Sequence, residues 1–230
     1  MRSLVLLPGF MCDRDLWTDM VPDLARLGAL HYGNVYEDDT LEGMARRVLD
    51  SAPERFALVG FSMGGFVARV LTLMAPERVR GVAFIASSAR GYSDEETARR
   101  KAGYRPGDQP PRAAGAVSTA TGLHPDREKD PVLLDRLRGM QRRLGPEVRK
   151  RQAALVRRDG YADLERIACH ALVVACRQDR LRDFTETERM AKHLPHARFE
   201  VLEDCGHMAP LERPRELAGL LADWIRREGL

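Results

Sequence analysis

Short apolar runs rich in β-forming residues alternate along this chain with stretches whose apolar residues recur at helical spacing, and that alternation leaves few folds open. The runs are Ser3–Leu7, Ala29–Val35, Phe56–Val59, Val79–Ala86, Ala171–Cys176 and Arg198–Leu202. Most are apolar throughout, as expected of strands buried on both faces, with Ala29–Val35 the least regular. They predict an α/β fold, a mostly parallel twisted sheet of about six strands with helices on both faces.

The intervening stretches carry helix signals. Asp15–Leu27 places Leu16, Met20, Leu24 and Leu27 on one face, and Gly28 supplies a stop. Asp39 offers an acidic cap with Glu42 three residues on, and Met44, Val48 and Leu49 continue an apolar face. A helix over Met63–Ala75 must end at Pro76, which cannot continue it. In Arg213–Arg227 the residues Leu217, Leu220, Leu221, Trp224 and Ile225 share one side, so Trp224 reads as a packing residue.

Residues 91–160 break the alternation. They offer helices around Asp94–Tyr104, Asp130–Leu144 and Glu147–Arg158 with no strand between them, and glycine and proline punctuate Tyr104–Gly115. The expectation is a helical cap over 91–160, lying over one edge of the sheet and inserted between core segments 1–90 and 161–230.

At 230 residues the chain has room for one substantial core. Hydrophobic residues at 44% and charged residues at 31% are ordinary for a globular protein in water. No stretch approaches the roughly 18 apolar residues a membrane span needs. The amino-terminal run Met1–Gly9 is too short for an export signal, which points to the cytoplasm. Cys12, Cys169, Cys176 and Cys205 lie far apart with no C-x-x-C pairing, which fits reduced packing residues better than a disulfide frame or a zinc site.

A net charge of +3, without basic and aromatic residues interleaved, argues against a nucleic-acid partner. The charge is uneven: residues 91–165 hold 16 basic against 12 acidic side chains. Arg142-Arg143 and Arg149-Lys150-Arg151 in that segment are expected to be solvated helix faces, with attraction of an anionic substrate as the alternative.

The chemistry starts at Gly60-Phe61-Ser62-Met63-Gly64, a G-x-S-x-G pattern between an expected strand and an expected helix. The turn is tight enough for side chains at 60 and 64 to collide, so glycine at both lets Ser62 stand out on a strained backbone. The helix that follows directs its first N–H groups and positive dipole end at Ser62, favouring an anion there. The stretch does not fit the dinucleotide-binding G-x-G-x-x-G pattern.

A serine nucleophile needs a base, and the base needs an orienting carboxylate, in the order Ser, acid, His for this context. Among six histidines His207 suits best, on the loop after the last strand. His31 precedes the serine, His124 falls in the expected cap, His170 starts a strand at the wrong end, and His193 and His196 flank a helix break. For the acid, Asp179 just follows the strand Ala171–Cys176, at the sheet edge where ligands bind. Asp183 is its nearest competitor and Asp204 lies too close to His207 along the loop. Backbone N–H groups of Met63 and of Phe10, reached through Gly9, are the candidate donors to an oxyanion.

Together, Leu7-Pro8-Gly9-Phe10, Gly60-Phe61-Ser62-Met63-Gly64-Gly65, Arg177-Gln178-Asp179 and Cys205-Gly206-His207-Met208-Ala209-Pro210 resemble the α/β-hydrolase superfamily over essentially the whole chain. The resemblance implies a catalytic Ser62, Asp179 and His207, an oxyanion hole at Phe10 and Met63, and a helical cap. Two features depart from the pattern. Pro8 stands where the family usually has a histidine that often braces the oxyanion loop, and the chain starts at the strand leading into that loop, which implies six strands.

Within the superfamily the chain is similar to small esterases and lactonases. That implies a serine hydrolase acting on a small, largely apolar ester or lactone, with Phe10, Met11, Met63 and Met208 as an adaptable apolar acyl pocket. This chemistry calls for no metal or organic cofactor. The same scaffold also supports lyases, cofactor-free peroxidases, C–C bond hydrolases and low-turnover receptors, and oligomeric state is not legible.

Overall fold

A computed structural model of the chain describes residues 2–93, 95 and 119–230. The expected helix around Asp94–Tyr104 and the glycine- and proline-rich Tyr104–Gly115 lie outside the described residues, apart from Glu95.

Six parallel strands form one sheet: β1 (Ser3–Leu7), β2 (Ala29–Tyr32), β3 (Phe56–Phe61), β4 (Val79–Ile85), β5 (His170–Cys176) and β6 (Ala197–Leu202). Their spatial order is β2-β1-β3-β4-β5-β6. The chain winds outward from β1 to β2, then returns past β1 to β3 and proceeds the other way. The carboxyl ends of β1 and β3 therefore flank the topological switch point, the crevice where open α/β sheets bind ligands.

Strand ends differ from expectation for local reasons. β3 runs on to Phe61, because Gly60 and Phe61 still pair with Phe84 and Ile85. β2 stops at Tyr32: Gly33 gives its N–H to Leu6, and the chain then leaves the edge, with Val35 turning into the core.

The helices are α1 (Val21–Leu24), α2 (Leu41–Ser51), α3 (Met63–Met74), α4 (Pro131–Ala153), α5 (Tyr161–Leu164), α6 (Phe184–His193), α7 (Ala209–Glu212) and α8 (Pro214–Arg227). The single helix expected over Asp15–Leu27 is instead a 3₁₀ segment, Arg14–Met20, capped by Asp13 and followed by α1. Pro22 lacks the N–H that would continue the first segment and sits comfortably in the first turn of the second. The cap of α2 is Thr40, whose hydroxyl accepts from Gly43 N–H at 3.0 Å, and not Asp39. The two expected helices across 130–158 stand as the two arms of α4, which break at Gly145, where φ 74° and ψ 179° precede Pro146; the second arm ends at Ala153, short of the expected Arg158.

Packing follows from the two buried faces of the sheet. One hydrophobic cluster holds Trp17, Phe61, Leu217, Trp224 and Ile225, and the other holds Met44, Phe56, Phe66, Val67 and Phe84. Each large side chain buried this way stabilises the fold by roughly 1.5–3 kcal/mol.

The basic residues of α4 dock it to the core. Arg143 meets Asp13 at 2.7 Å and Asp15 at 3.1 Å, Arg136 pairs with Asp15 and Asp19, and Arg151 donates to the Tyr36 carbonyl at 2.9 Å. Of the residues expected on solvated faces, Arg142, Arg143 and Lys150 are exposed, Arg143 while paired with Asp13 and Asp15, and Arg149 and Arg151 are half-buried. The contacts of α4 are with the segments that follow β1 and β2, at Met11, Asp13, Asp15 and Val35.

Candidate active site

The turn after β3 is tightly constrained. Ser62 sits at φ 51°, ψ −110°, a conformation costly for any residue with a Cβ. Its N–H donates to Ile85 at 2.9 Å, and its carbonyl accepts from Ser87 Oγ at 2.9 Å and Gly65 N–H at 3.0 Å. A Cβ on residue 60 would meet Gly64 O at 2.6 Å, while one on residue 64 would meet Leu7 O at 2.4 Å. The two glycines therefore clear different obstacles: Gly60 admits the helix backbone, and Gly64 admits the end of β1.

Two further loops bring partners to the serine. Gln178 N–H donates to Cys205 O at 2.9 Å and Cys205 N–H donates to Gln178 Oε1 at 2.9 Å, so the loops after β5 and β6 are stitched together. Asp179 uses Oδ1 to accept from the Leu181 and Arg182 amides at 2.7 and 2.9 Å. That leaves Oδ2, which lies 2.7 Å from His207 Nδ1, and His207 Nε2 lies 2.8 Å from Ser62 Oγ. Ser62 and His207 are each 5% exposed, and the Phe61 ring tilts against the imidazole at 5.2 Å.

The competing acids are engaged elsewhere. Asp183 caps α6, accepting from Thr185 and Glu186 amides, and Asp204 binds Arg127 and Arg213 and faces His124 Nε2 at 3.3 Å.

The loop after β1 turns sharply, with Cys12 N–H donating to Gly9 O at 3.2 Å and Phe10 and Met11 at its corners. Met11 has φ 53°. Its N–H is taken by Gln152 Oε1 at 2.9 Å, whereas among the described residues the Phe10 and Met63 amides have no acceptor. Burial pushes the Cys12 thiol behind this turn up to about 12, with Asp13 adding to the shift.

Met63 packs into one core cluster and Met208 into the other, Met11 is buried, and Phe10 is half-buried beneath the Arg149 guanidinium at 5.7 Å. Two surface cavities, of about 330 and 340 Å³, lie elsewhere: one is at the amino ends of the strands around Arg2, Phe56 and Arg80, and the other is along β2. Among the described residues no group of three or more His, Cys, Asp or Glu is arranged to hold a metal, and no helix is long and apolar enough to cross a membrane.

Three contributors carry no sequence signal. Gln152 reaches the loop after β1 from α4. Glu212, its side chain fully buried, accepts from the His124 amide at 2.7 Å and the Met208 amide at 3.2 Å, fixing the loop that carries His207. Ser87 holds the Ser62 carbonyl. Gln152, Ser87 and, through His124, Glu212 act across tens of residues from an unremarkable polar context.

Residues 4–220 match the family model for the alpha/beta hydrolase family. The chain belongs to that family. Among curated relatives of this hydrolase, pimeloyl-[acyl-carrier protein] methyl ester esterase of Klebsiella pneumoniae is 40% identical over 93 residues, 37% of this chain and 36% of the relative. That match spans about a third of either protein. The enzyme of the same name from Aromatoleum aromaticum is 27% identical over 97% of this chain and 98% of its own length. Among solved structures, an esterase from Thermogutta terrifontis superposes with a TM-score of 0.85 at 24% identity, covering 99% of this chain and 90% of that one. An enol-lactonase from Burkholderia xenovorans gives 0.79 at 20% identity, covering 98% and 91%. At these identities the structural likeness speaks to the alpha/beta hydrolase fold alone.

Proposed function

We propose that the chain is a serine hydrolase that cleaves a carboxylic ester or lactone of a small, largely apolar substrate through an acyl-enzyme on Ser62. The observation that carries this reading is the unbroken line of short contacts from Asp179 through His207 to Ser62. Esterases and an enol-lactonase among the relatives and structural neighbours support the choice of ester chemistry.

In this reading Asp179 accepts the Nδ1 proton of His207 and so leaves Nε2 free to act as base. As Ser62 Oγ attacks the carbonyl carbon, its proton passes to Nε2, and the carbonyl oxygen becomes an oxyanion held by the Phe10 and Met63 amides. Each such donor is worth about 3–4 kcal/mol in the transition state. The amino end of α3 adds its dipole. His207 then protonates the departing alkoxide, and a water molecule activated by the same nitrogen releases the acid.

Residues 91–160 act as a cap over a core of residues 1–90 and 161–230, and Phe10, Met11, Met63 and Met208 supply apolar contacts to the acyl group. A hydrolysis screen of short esters, long esters and lactones, each run with Ser62→Ala in parallel, tests the proposal. Turnover of at least one class that vanishes in the variant is expected, and near-normal hydrolysis by the variant would reject it.

A further inference from the structure

The geometry points to Gln152 as a positioning residue for the oxyanion turn, coupling α4 to the reaction centre; this rests on the Ser62 reading above. Gln152 is 1% exposed. Its Oε1 accepts from Met11 N–H at 2.9 Å and its Nε2 donates to the Val35 carbonyl at 3.1 Å, joining loops 141 and 117 residues away.

The two ends of a carboxamide have fixed and opposite roles, so each contact orients the other and the bridge has a single sense. Both partners are buried, and a buried amide or carbonyl left unmet is costly, which keeps the bridge closed.

What the bridge holds is a strained turn. Met11 lies at φ 53°, where a residue with a Cβ stays only if its surroundings over-determine it. Gln152 pins the Phe10–Met11 peptide plane through the Met11 N–H. The plane before it carries the Phe10 N–H, the proposed oxyanion donor, so a rotation of the pinned plane about Phe10 would misdirect that donor. Pro8 brings no polar side chain to steady this loop, and the steadying group comes instead from a distant helix. By consuming the Met11 amide, Gln152 also leaves Phe10 as the donor on this side.

Gln152→Met keeps the volume and removes both hydrogen bonds. For p-nitrophenyl acetate the expected result is a fall in kcat of about 10- to 100-fold with KM little changed, as for loss of an interaction made in the transition state. The inhibition constant of an aryl trifluoromethyl ketone, which forms the same oxyanion, should rise by the same factor. Gln152→Ala, which leaves room for a bridging water, should show a smaller fall of the same kind and serves if the methionine variant does not fold. A merely structural role would lower the melting temperature while leaving kcat and the ketone affinity alone, and that result would overturn the inference. Ser62→Ala is measured alongside: hydrolysis that depends on Ser62 but not on Gln152 rejects this inference alone, whereas hydrolysis independent of Ser62 rejects both.

Discussion

Asp179 and His207, on loops that follow different strands, meet at 2.7 Å, and the carboxylate reaches the imidazole with only one of its two oxygens. The other is occupied by the Leu181 and Arg182 amides. This division of labour predicts what Asp179→Asn should do. The amide oxygen will stay with the two backbone donors, so the NH₂ must face Nδ1, forcing that nitrogen to accept and placing the imidazole proton on Nε2. The base then points a proton at Ser62. A kcat loss of about ten-thousand-fold with little change in fold is expected, read from steady-state kinetics and circular dichroism.

Gly60→Ala should damage stability and activity together. The added methyl would press on Gly64 O at 2.6 Å and Gly65 Cα at 2.8 Å, backbone atoms that cannot swing aside. A cost of about 1–3 kcal/mol is expected from overpacking, measured by denaturant unfolding. The displaced Ser62 should lower kcat beyond what unfolding explains.

The docking of α4 should weaken in acid. Burial pushes the Asp13 carboxyl up, but hydrogen bonds from Arg143 and the Asp15 amide outweigh it and hold the group below its usual 3.8. A carboxyl lowered in the folded state stabilises the protein above the unfolded value, and that contribution disappears as pH falls through the folded one. Arg143→Ala should therefore lower the melting temperature by about 1–3 °C near neutrality, with the gap from wild type closing as pH falls below the ordinary carboxyl value of 3.8. A gap that persists in acid would count against the pairing.

The cysteines should be silent in the native protein. Burial pushes Cys12 up to about 12 and Cys169 to about 11, and a hydrogen bond with Cys205 together with burial raises Cys176 well above its ordinary value. Because the thiolate is the reactive form, a chromogenic disulfide reagent near neutral pH should react slowly until the protein is unfolded, when all four thiols respond.

Much of this architecture is legible in the sequence because its signals are local. All six strands stand where apolar runs occur, and the glycines around Ser62 announce the turn after β3. The position of His207 after the last strand, and of Asp179 just past β5, follows from chain order alone. What is hidden depends on distant contacts. Nothing near Pro22 says that a helix will start as 3₁₀ turns, and Thr40 displaces Asp39 as a cap only once the backbone angle is set. Gln152, Ser87 and Glu212 matter because of what they meet far along the chain. The pairing of Arg143 is hidden in the sequence because its partners, Asp13 and Asp15, lie more than a hundred residues away.

The central claim is that Ser62 Oγ becomes covalently acylated. Intact-mass and peptide-mapping measurements after reaction with a fluorophosphonate, and after rapid acid quench of p-nitrophenyl ester turnover, test it most directly. A single adduct on Ser62, absent from Ser62→Ala, is the predicted result. Ester turnover with no adduct at Ser62, or with the adduct on another residue, would contradict it.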